Sequence, residues 1–339
     1  MALTTHYPPT HHSPLTTHYS PLTMTAVVTR LAPSPTGAQH LGNARTYLIA
    51  WLAARSRGGR VILRIEDIDS PRIKAGAAEQ ACDELRWLGL DWDEGPYVQT
   101  QRLPLYEAAL AQLQRQELVY PCTCTRSDIE RAASAPHAEH EGPAYPGTCA
   151  GRRVADAAAL TDRPFAWRFR SAPALWNFND LFMGPTAIDP TTLGGDFVVW
   201  KSAGTPAYQL AVVVDDAANG VTEVIRGDDL VPSTPRQLQL YAALGLEPPA
   251  FAHVPLVVGP DGRRLAKRHG DTRLSTLRQG GVTAPALLGL LAWSCGWIAA
   301  IVPVTLDALL SRFQLTAIPR EPFVLQPTHL DAIGWRRSP

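Results

Sequence analysis

The sequence lacks the features that mark a secreted or a membrane protein. It has only five cysteines, an odd number, and three of them fall between Cys122 and Cys149. A disulfide framework needs paired cysteines and an oxidising compartment, so this pattern favours cytoplasmic thiols and a metal site. No apolar run approaches the roughly 20 residues of a membrane-spanning helix. We therefore expect a cytoplasmic protein that makes no membrane contact.

Net charge is also lacking, because 31 Lys and Arg residues balance 31 Asp and Glu residues. Total charge therefore identifies neither a nucleic-acid partner nor an acidic one, although it is compatible with a local basic face. The 339 residues suffice for two lobes, and a hydrophobic content of 45% is typical of a soluble globular enzyme.

Residues 1–24 differ from the rest of the chain. They repeat LTTHY and hold four of the 10 histidines, but they lack the apolar core of a secretory signal. Histidine-rich tracts can bind metal. We interpret the segment as a disordered extension, or as residues that precede the true start at Met24, and we exclude it from the fold.

From Ala26 the chain has the alternating pattern of an α/β protein. A β-branched run at 26–32 predicts a strand, residues 44–57 predict a helix with one apolar face, and 61–65 predict a buried parallel strand. Further predicted elements are helices at 75–88, 103–116 and 233–246, a strand over 254–258, and strands within DFVVW, AYQLAVVVDDA and VTEVIRGDDL.

These patterns predict a Rossmann-like parallel sheet that is interrupted by an insert. Residues 120–195 carry the cysteine cluster, many Pro and Ala residues and little periodicity, which indicates an inserted subdomain. The predicted division is an extension at 1–24, two halves of the main domain at 25–119 and 196–271, the insert at 120–195, and a small helical C-terminal region at 272–339.

The segment SPTGAQHLGNART joins the first predicted strand to the first predicted helix. In a parallel sheet, ligands bind beyond the carboxyl ends of the strands, where helix N-termini expose free N–H groups. Gly37 and Gly42 would let the backbone approach a phosphate, and His40 adds a donor just before the helix body. On this stretch alone, an ordinary connecting loop explains the pattern equally well.

A cationic loop, GRRLAKRHGD, follows the strand predicted at 254–258. Lys267 lies within it, among Arg263, Arg264 and Arg268. Charge that develops on a triphosphate during adenylyl transfer must be met by preorganised donors, and such a loop supplies them. A solvated run of surface charges is the alternative interpretation.

Taken together, these segments resemble the class I aminoacyl-tRNA synthetases of the glutamyl branch. SPTGAQHLGNART resembles the HIGH motif, with His40 as its first histidine and Asn43 in place of the second. RLAKR resembles the KMSKS motif, with Ala266 where a serine is usual. LRIEDID, LDWDEGP, AYQLAVVVDDA, VIRGDDL and STPRQ match the same branch, so the resemblance extends from Thr25 to Asp271.

About 70 residues follow Lys267, too few for the anticodon-binding domain of a full glutamyl-tRNA synthetase at typical domain sizes. The chain therefore resembles the truncated paralogues of that branch. This resemblance implies activation of L-glutamate by ATP with Mg²⁺, and transfer of glutamate to queuosine at the wobble position of tRNA(Asp). We expect a monomer. The alternatives are a synthetase that charges the tRNA 3′ end and a non-catalytic binder of glutamate or tRNA.

The resemblance also implies a glutamate site. Arg30 ends the first strand and is our choice for the substrate's side-chain carboxylate, because guanidinium groups bind carboxylates in a bidentate manner. Glu66 ends the second strand, where it would neutralise the substrate ammonium. The full expected set is Arg30, Ser34, Glu66, Tyr208 and Arg226, with Asp215 and Asp216 as weaker candidates. The alternative interpretations are a surface residue for Arg30, a capping or salt-bridging residue for Glu66, and ordinary core or loop residues for Tyr208 and Arg226.

For ATP, the resemblance implies a site formed by His40, Gly42 and Lys267. His40 and Lys267 are the expected catalytic pair, with Lys267 compensating charge on the triphosphate. Ala266 cannot supply the hydroxyl that the motif usually has.

The cysteine cluster predicts a structural zinc site. Cys122, Cys124 and Cys149 offer three thiolates, which zinc prefers in a tetrahedral set. His137 and His140 are candidates for the fourth ligand, whereas the family resemblance implies Tyr145 instead. Free buried thiols without a metal are the alternative. Cys82 and Cys295 are interpreted as small apolar residues.

Overall fold

The computed structural model describes residues 26–35, 38–68, 73–132, 144–265 and 272–335. Its strands are β1 (Val28–Leu31), β2 (Arg60–Ile65), β3 (Glu94–Val98), β4 (Val119–Cys122), β5 (Ala166–Phe169), β6 (Trp176–Asp180), β7 (Gly184–Ile188), β8 (Phe197–Trp200), β9 (Glu223–Gly227), β10 (Ala250–Val254), β11 (Val257–Val258) and β12 (Phe323–Val324). Its helices are α1 (Leu41–Arg55), α2 (Ala77–Trp87), α3 (Leu103–Arg115), α4 (Arg126–Ala132), α5 (Tyr208–Ala218), α6 (Ser233–Leu244), α7 (Leu274–Gln279), α8 (Ala284–Ser294), α9 (Leu306–Leu310) and α10 (Pro327–Ala332).

The central strands confirm the predicted parallel sheet. Strands β1, β2 and β3 pair in parallel, and β9 pairs in parallel with β10. The two groups meet where the Thr222 N–H donates to the Val28 carbonyl at 2.9 Å, and the Val28 N–H donates to Thr222 Oγ1 at 2.9 Å. The carboxyl ends of β1, β2 and β9 therefore lie at one edge, beside the first turn of α1, as the strand–loop–helix–strand pattern predicted.

The segment between α3 and α5 contains antiparallel sheets. Strands β4, β5 and β8 form one sheet, and β6 and β7 form a hairpin. The domain boundaries that we proposed at 120 and 195 fall within β4 and just before β8, so the proposed insert begins and ends in this small sheet. Each of these strands has only four or five residues, which leaves little room for an alternating pattern in the sequence.

The run AYQLAVVVDDA was wrongly predicted to be a strand. It forms helix α5, in which every residue from Leu210 to Asp216 is buried. A helix that is apolar on all sides has the same composition as a buried strand, and its packing against α3 and α6 overrides the β-propensity of its valines.

The strand predicted over 254–258 was also wrong in one respect. It is divided into β10 and β11, with Pro255 between them. Proline carries no N–H for a ladder hydrogen bond, so it interrupts the pairing. Strand β11 instead pairs with β12 of the C-terminal region.

Helix α1 lies at the centre of the main core, which also includes buried residues of β2, β10 and α8. The buried Arg45 side chain joins these parts, because it donates to the Pro255 carbonyl at 2.7 Å and to Ser294 Oγ at 3.1 Å. The C-terminal region is helical, as predicted, and shares this core. In the part of the chain that the structure describes, no helix has the length and apolar character needed to cross a bilayer.

Candidate active site and metal centre

A cleft of about 820 Å³ opens at the carboxyl edge of the parallel sheet, next to the start of α1. It brings together seven of the residues predicted from the sequence: Arg30, Ser34, His40, Gly42, Glu66, Tyr208 and Arg226. Residues that sequence reasoning did not select also line it, among them Asn43, Thr46 and Asp229. Asn43 lies in the HIGH-like segment and Asp229 in the VIRGDDL segment, so these family-like segments could have indicated both residues.

The N-terminus of α1 forms the wall of the cleft that is suited to phosphate. His40 is the residue just before the helix, and its backbone N–H donates to Asn43 Oδ1 at 3.1 Å. A Cβ atom added at Gly42 would lie 3.2 Å from Cε1 and Nδ1 of the His40 ring. Glycine therefore lets the ring lie against the first helical turn, where backbone N–H groups attract anions.

His40 is held mainly as a neutral imidazole. Burial lowers the pKa of His40 below its usual value, and the positive charge of Arg264 lowers it further. A neutral ring in this position offers one N–H donor and one acceptor rather than a fixed positive charge.

Arg30, which lines the cleft, and Arg64, which lies beneath it, contact a common group of carboxylates. Arg64 is fully buried and contacts Glu66 Oε1 at 2.9 Å and Asp216 Oδ1 at 2.5 Å. Arg30 Nε lies 3.5 Å from Asp216 Oδ1, and Arg30 Nη1 donates to the Ile225 carbonyl at 3.2 Å. Glu66 is thus fixed at the cleft edge by a cation beneath it.

Asp215 and Asp216 do not line the cleft. They project from α5, and both are buried. Asp215 accepts hydrogen bonds from Gln99 at 2.7 Å and Arg102 at 2.8 Å, while Asp216 holds the two arginines. The suggestion that they contact substrate from a strand end came from the wrong secondary structure; in the helix they support the floor of the site.

Arg226 is the most unusual cation in the site. It is 3% exposed at the end of β9, and its guanidinium donates to His253 Nε2, Gln237 Oε1 and Thr234 Oγ1 at 2.9, 2.8 and 2.8 Å. Among the described residues, no carboxylate forms an ion pair with it. Burial lowers the pKa of Arg226, and the nearby positive charge of Arg30 adds to this effect.

Tyr208 and Ser34 complete the predicted set. Tyr208 is the first residue of α5 and is 39% exposed toward the cleft, which it lines. Ser34 lies in the loop after β1, where its carbonyl accepts from Gln39 Nε2 at 3.3 Å.

Lys267 and Ala266 lie outside the described residues, so the role of Lys267 stays a prediction. Arg264, three positions earlier in the chain, lines the cleft and forms an ion pair with Asp229 at 2.8 Å. The described beginning of the cationic loop therefore reaches the same cleft as His40.

The three predicted cysteines form a compact sulfur cluster. The Sγ atoms of Cys122, Cys124 and Cys149 all lie within 4.8 Å of one another. The Tyr145 hydroxyl lies 3.4 Å from Cys122 Sγ and accepts from the Cys149 N–H at 2.8 Å. These four groups form a donor set that could hold a metal ion. His137 and His140 lie outside the described residues.

The thiols in the cluster differ in acidity. Burial alone would raise the pKa of Cys149, but hydrogen bonds from the Thr123 backbone, Cys124 and Tyr145 lower it to about 7. Burial and the neighbouring sulfurs raise the pKa of Cys124 to about 11. Burial and Cys122 raise the pKa of Tyr145 well above that of a free phenol. Without a cation, Cys124 and Tyr145 therefore resist ionisation near neutral pH.

Comparison with known proteins gives a consistent result. Residues 26–300 match the family described as "tRNA synthetases class I (E and Q), catalytic domain". The chain is 53% identical to the glutamyl-Q tRNA(Asp) synthetase of Rhodopirellula baltica, with 89% of this chain and 97% of that protein covered. It is 51% identical to the protein of the same name from Symbiobacterium thermophilum, with 86% and 94% covered.

A solved structure agrees with the described fold. The glutamate tRNA ligase of Elizabethkingia meningosepticum, crystallised with its amino acid, superposes with a TM-score of 0.76 at 27% identity. The alignment covers 90% of this chain and 68% of that one.

Proposed function

The chain belongs to the glutamate and glutamine branch of the class I tRNA synthetases and is therefore a ligase; from this premise we propose that it transfers glutamate to queuosine in tRNA(Asp). The choice of queuosine as the acceptor rests on relatives whose names state this acceptor tRNA. The sequence identity to the first of them is 53%, and the alignment covers 97% of its length.

The proposed reaction has two steps. The α-carboxylate of L-glutamate attacks the α-phosphorus of ATP, pyrophosphate leaves, and glutamyl-AMP forms. A hydroxyl of the queuosine cyclopentene ring at the wobble position then attacks the acyl carbon, and AMP leaves. Positioning and charge stabilisation in the cleft supply the catalysis in this scheme.

The charges of the cleft support glutamate as the substrate. An amino acid with two carboxylates that is buried next to ATP needs cations that are not already neutralised. Arg226 has no carboxylate partner among the described residues, whereas Arg30 lies 3.5 Å from Asp216. We assign a substrate carboxylate to Arg226, with Arg30 supporting it, and the substrate ammonium to Glu66. Ser34 and Tyr208 complete the pocket.

The ATP phosphates belong, in this proposal, at the start of α1. Gly42 gives the backbone access to the phosphates, and neutral His40 donates to them without a charge of its own. Lys267 and Arg264 neutralise the departing pyrophosphate. Mg²⁺ accompanies ATP and is held largely by phosphate oxygens.

We propose that the sulfur cluster holds one structural Zn²⁺ through Cys122, Cys124, Cys149 and Tyr145. The donor atoms fit, because three sulfurs and one oxygen gather within reach of a single ion. Bound zinc would favour the thiolate and phenolate forms and cross-link β4 to the loop at 144–150. We also propose that residues 120–195 are an insert, and that the protein acts in the cytoplasm as a monomer.

One assay separates the proposed function from its rivals. The protein is given ATP, labelled glutamate and, in separate reactions, tRNA(Asp) with queuosine, tRNA(Asp) with the unmodified guanosine at the same position, or tRNA(Glu). Label only on tRNA(Asp) that carries queuosine supports the proposal. Label at the 3′ end of tRNA(Glu) indicates a conventional glutamyl-tRNA synthetase, and the absence of any adenylate indicates a non-catalytic binder.

A further inference from the structure

A buried histidine that does not line the cleft contacts the cation that we assign to the substrate. His253 lies on β10 with no exposed surface, and its Nε2 lies 2.9 Å from Arg226 Nε. Its Nδ1 lies 2.6 Å from Asp180 Oδ2, at the end of β6 in the hairpin. A chain of hydrogen bonds thus runs from the hairpin through β10 to the glutamate site.

The neighbours of His253 determine where its proton is. Asp180 already accepts the N–H groups of Phe182 and Met183 on Oδ1 at 2.9 and 2.8 Å, as an ionised carboxylate does. Burial lowers the pKa of His253 even though Asp180 opposes the shift. A neutral ring with its proton on Nδ1 donates to Asp180 and leaves Nε2 as the acceptor for Arg226.

Three hydrogen bonds then fix the plane of Arg226. A guanidinium carries five N–H donors, and His253, Gln237 and Thr234 take one each, so two are left. The Phe251 ring lies 4.9 Å from the guanidinium carbon and limits tilting of the plane. Two N–H groups on a fixed plane are what bidentate recognition of a carboxylate requires.

We propose that His253, held by Asp180, is a positioning residue for glutamate: it fixes the plane of Arg226 so that the two remaining N–H groups receive a substrate carboxylate. This inference rests on the proposed function, because it assumes that glutamate is the ligand. The proposal requires the acceptor atom Nε2 of His253 and not only its donor Nδ1. Two amide substitutions can test the two atoms separately.

The test compares His253→Gln with His253→Asn. The Gln amide oxygen can occupy the position of Nε2 and accept from Arg226, whereas the Asn amide can occupy the position of Nδ1 and reach only Asp180. Losing a hydrogen bond to a charged group predicts a roughly ten- to hundredfold rise in the glutamate Kd of His253→Asn. His253→Gln should stay within about threefold of the wild type, and the KM for ATP should not change in either variant.

The substitution Asp180→Asn should remove the acceptor at His253 Nε2 without changing His253 itself. Its amide oxygen can keep the two backbone donors of the hairpin, which places the NH₂ group opposite His253 Nδ1. The imidazole proton must then move to Nε2, where it opposes the Arg226 N–H. We expect the glutamate Kd to rise by about the same factor as in His253→Asn. This variant carries the test if His253→Asn does not fold.

Glutamate binding is measured by calorimetry on the full chain, with thermal unfolding of each variant recorded in parallel. His329→Gln is the control, because it also removes a packed imidazole but does not line the cleft. Equal effects of Asn and Gln at position 253, or reduced stability with unchanged glutamate affinity, would overturn the inference alone. A wild type that binds no glutamate would overturn the proposed function together with it.

Discussion

At the scale of single residues, the arginines of the cleft differ in whether a carboxylate of the protein already neutralises them. Arg64 and Arg30 both contact Asp216 of α5, and Arg64 also contacts Glu66, which follows β2; these interactions hold the floor together. Arg226 is buried to the same degree, but its three described partners are neutral. Burying a guanidinium without a counter-ion is costly, so an arrangement of this kind indicates a site that an anionic ligand completes.

The substitution Arg226→Lys tests this directly. An ammonium keeps the charge but cannot make three fixed bonds and still present two parallel donors. We expect the glutamate Kd to rise by about a hundredfold, with the KM for ATP within about twofold of the wild type. Calorimetry and the glutamate dependence of pyrophosphate exchange measure the two quantities.

Arg278→Lys is the matched control for that substitution, because Arg278 pairs with Asp83 on the surface and is 44% exposed. It should leave both constants unchanged. If Arg226→Lys binds glutamate as the wild type does, the substrate carboxylate lies elsewhere, and Arg30 becomes the candidate.

At the scale of secondary-structure elements, Gly42 lowers the stability of the first turn of α1 but leaves its backbone accessible. Alanine at position 42 should favour the helix by up to about 1 kcal/mol. Its Cβ would also press on the His40 ring at 3.2 Å and displace it by a few tenths of an ångström. We expect Gly42→Ala to raise the KM for ATP about three- to tenfold with no loss of thermal stability, measured by pyrophosphate exchange and calorimetry.

Gly151→Ala is the control for that pair of measurements, because a Cβ there meets no atom within 4 Å. It should change neither quantity. A Gly42→Ala variant with an unchanged KM for ATP would mean that the His40 ring and the first turn do not contact the nucleotide.

The sulfur cluster is the second element whose role can be tested. We expect about one zinc per chain by elemental analysis, because three sulfurs and one oxygen satisfy a tetrahedral ion. Cys124→Ala should lose the metal and lower the unfolding temperature by several degrees. Cys82→Ala, in α2 and outside the cluster, should keep the metal. Equal metal content in both variants would contradict the assignment.

The sequence predicts those elements whose residue pattern lies within one short stretch of the chain. The unit from β1 through α1 to β2 was predicted from hydrophobic periodicity and from Gly37 and Gly42 in the connecting loop. Because parallel strands end at the same edge of a sheet, this unit also predicts that Arg30, His40 and Glu66 lie together there. Helix α5 could not be recognised in that way, since its residues 210–216 are buried on every side and form no exposed polar face. The pairing of Asp180 with His253 spans 73 positions and leaves no pattern in the sequence.

At the scale of the whole molecule, the C-terminal region and the parallel sheet share one hydrophobic core, so we expect them to unfold as one cooperative unit. Helix α1 packs on the sheet with one side and on α8 with another, so the end of the helix that we propose binds phosphate depends on both. Thr272, the first described residue after the cationic loop, meets the same helix, because the Leu41 N–H donates to the Thr272 carbonyl at 3.0 Å. The geometry of the cleft therefore depends on packing that lies outside it.

Arg45 provides the test of this dependence, because its buried guanidinium joins α1 to Pro255 and to Ser294 of α8. Arg45→Met keeps much of the side-chain volume but leaves these acceptors without a partner, which should lower the free energy of unfolding by about 2–4 kcal/mol. Denaturation should stay a single transition by tryptophan fluorescence and circular dichroism, since the two parts share a core. Arg86→Met, an exposed residue over Trp92, should cost less than about 1 kcal/mol. Two separate transitions in Arg45→Met would instead show that the C-terminal region unfolds independently, and the start of α1 would then owe its position to the sheet alone.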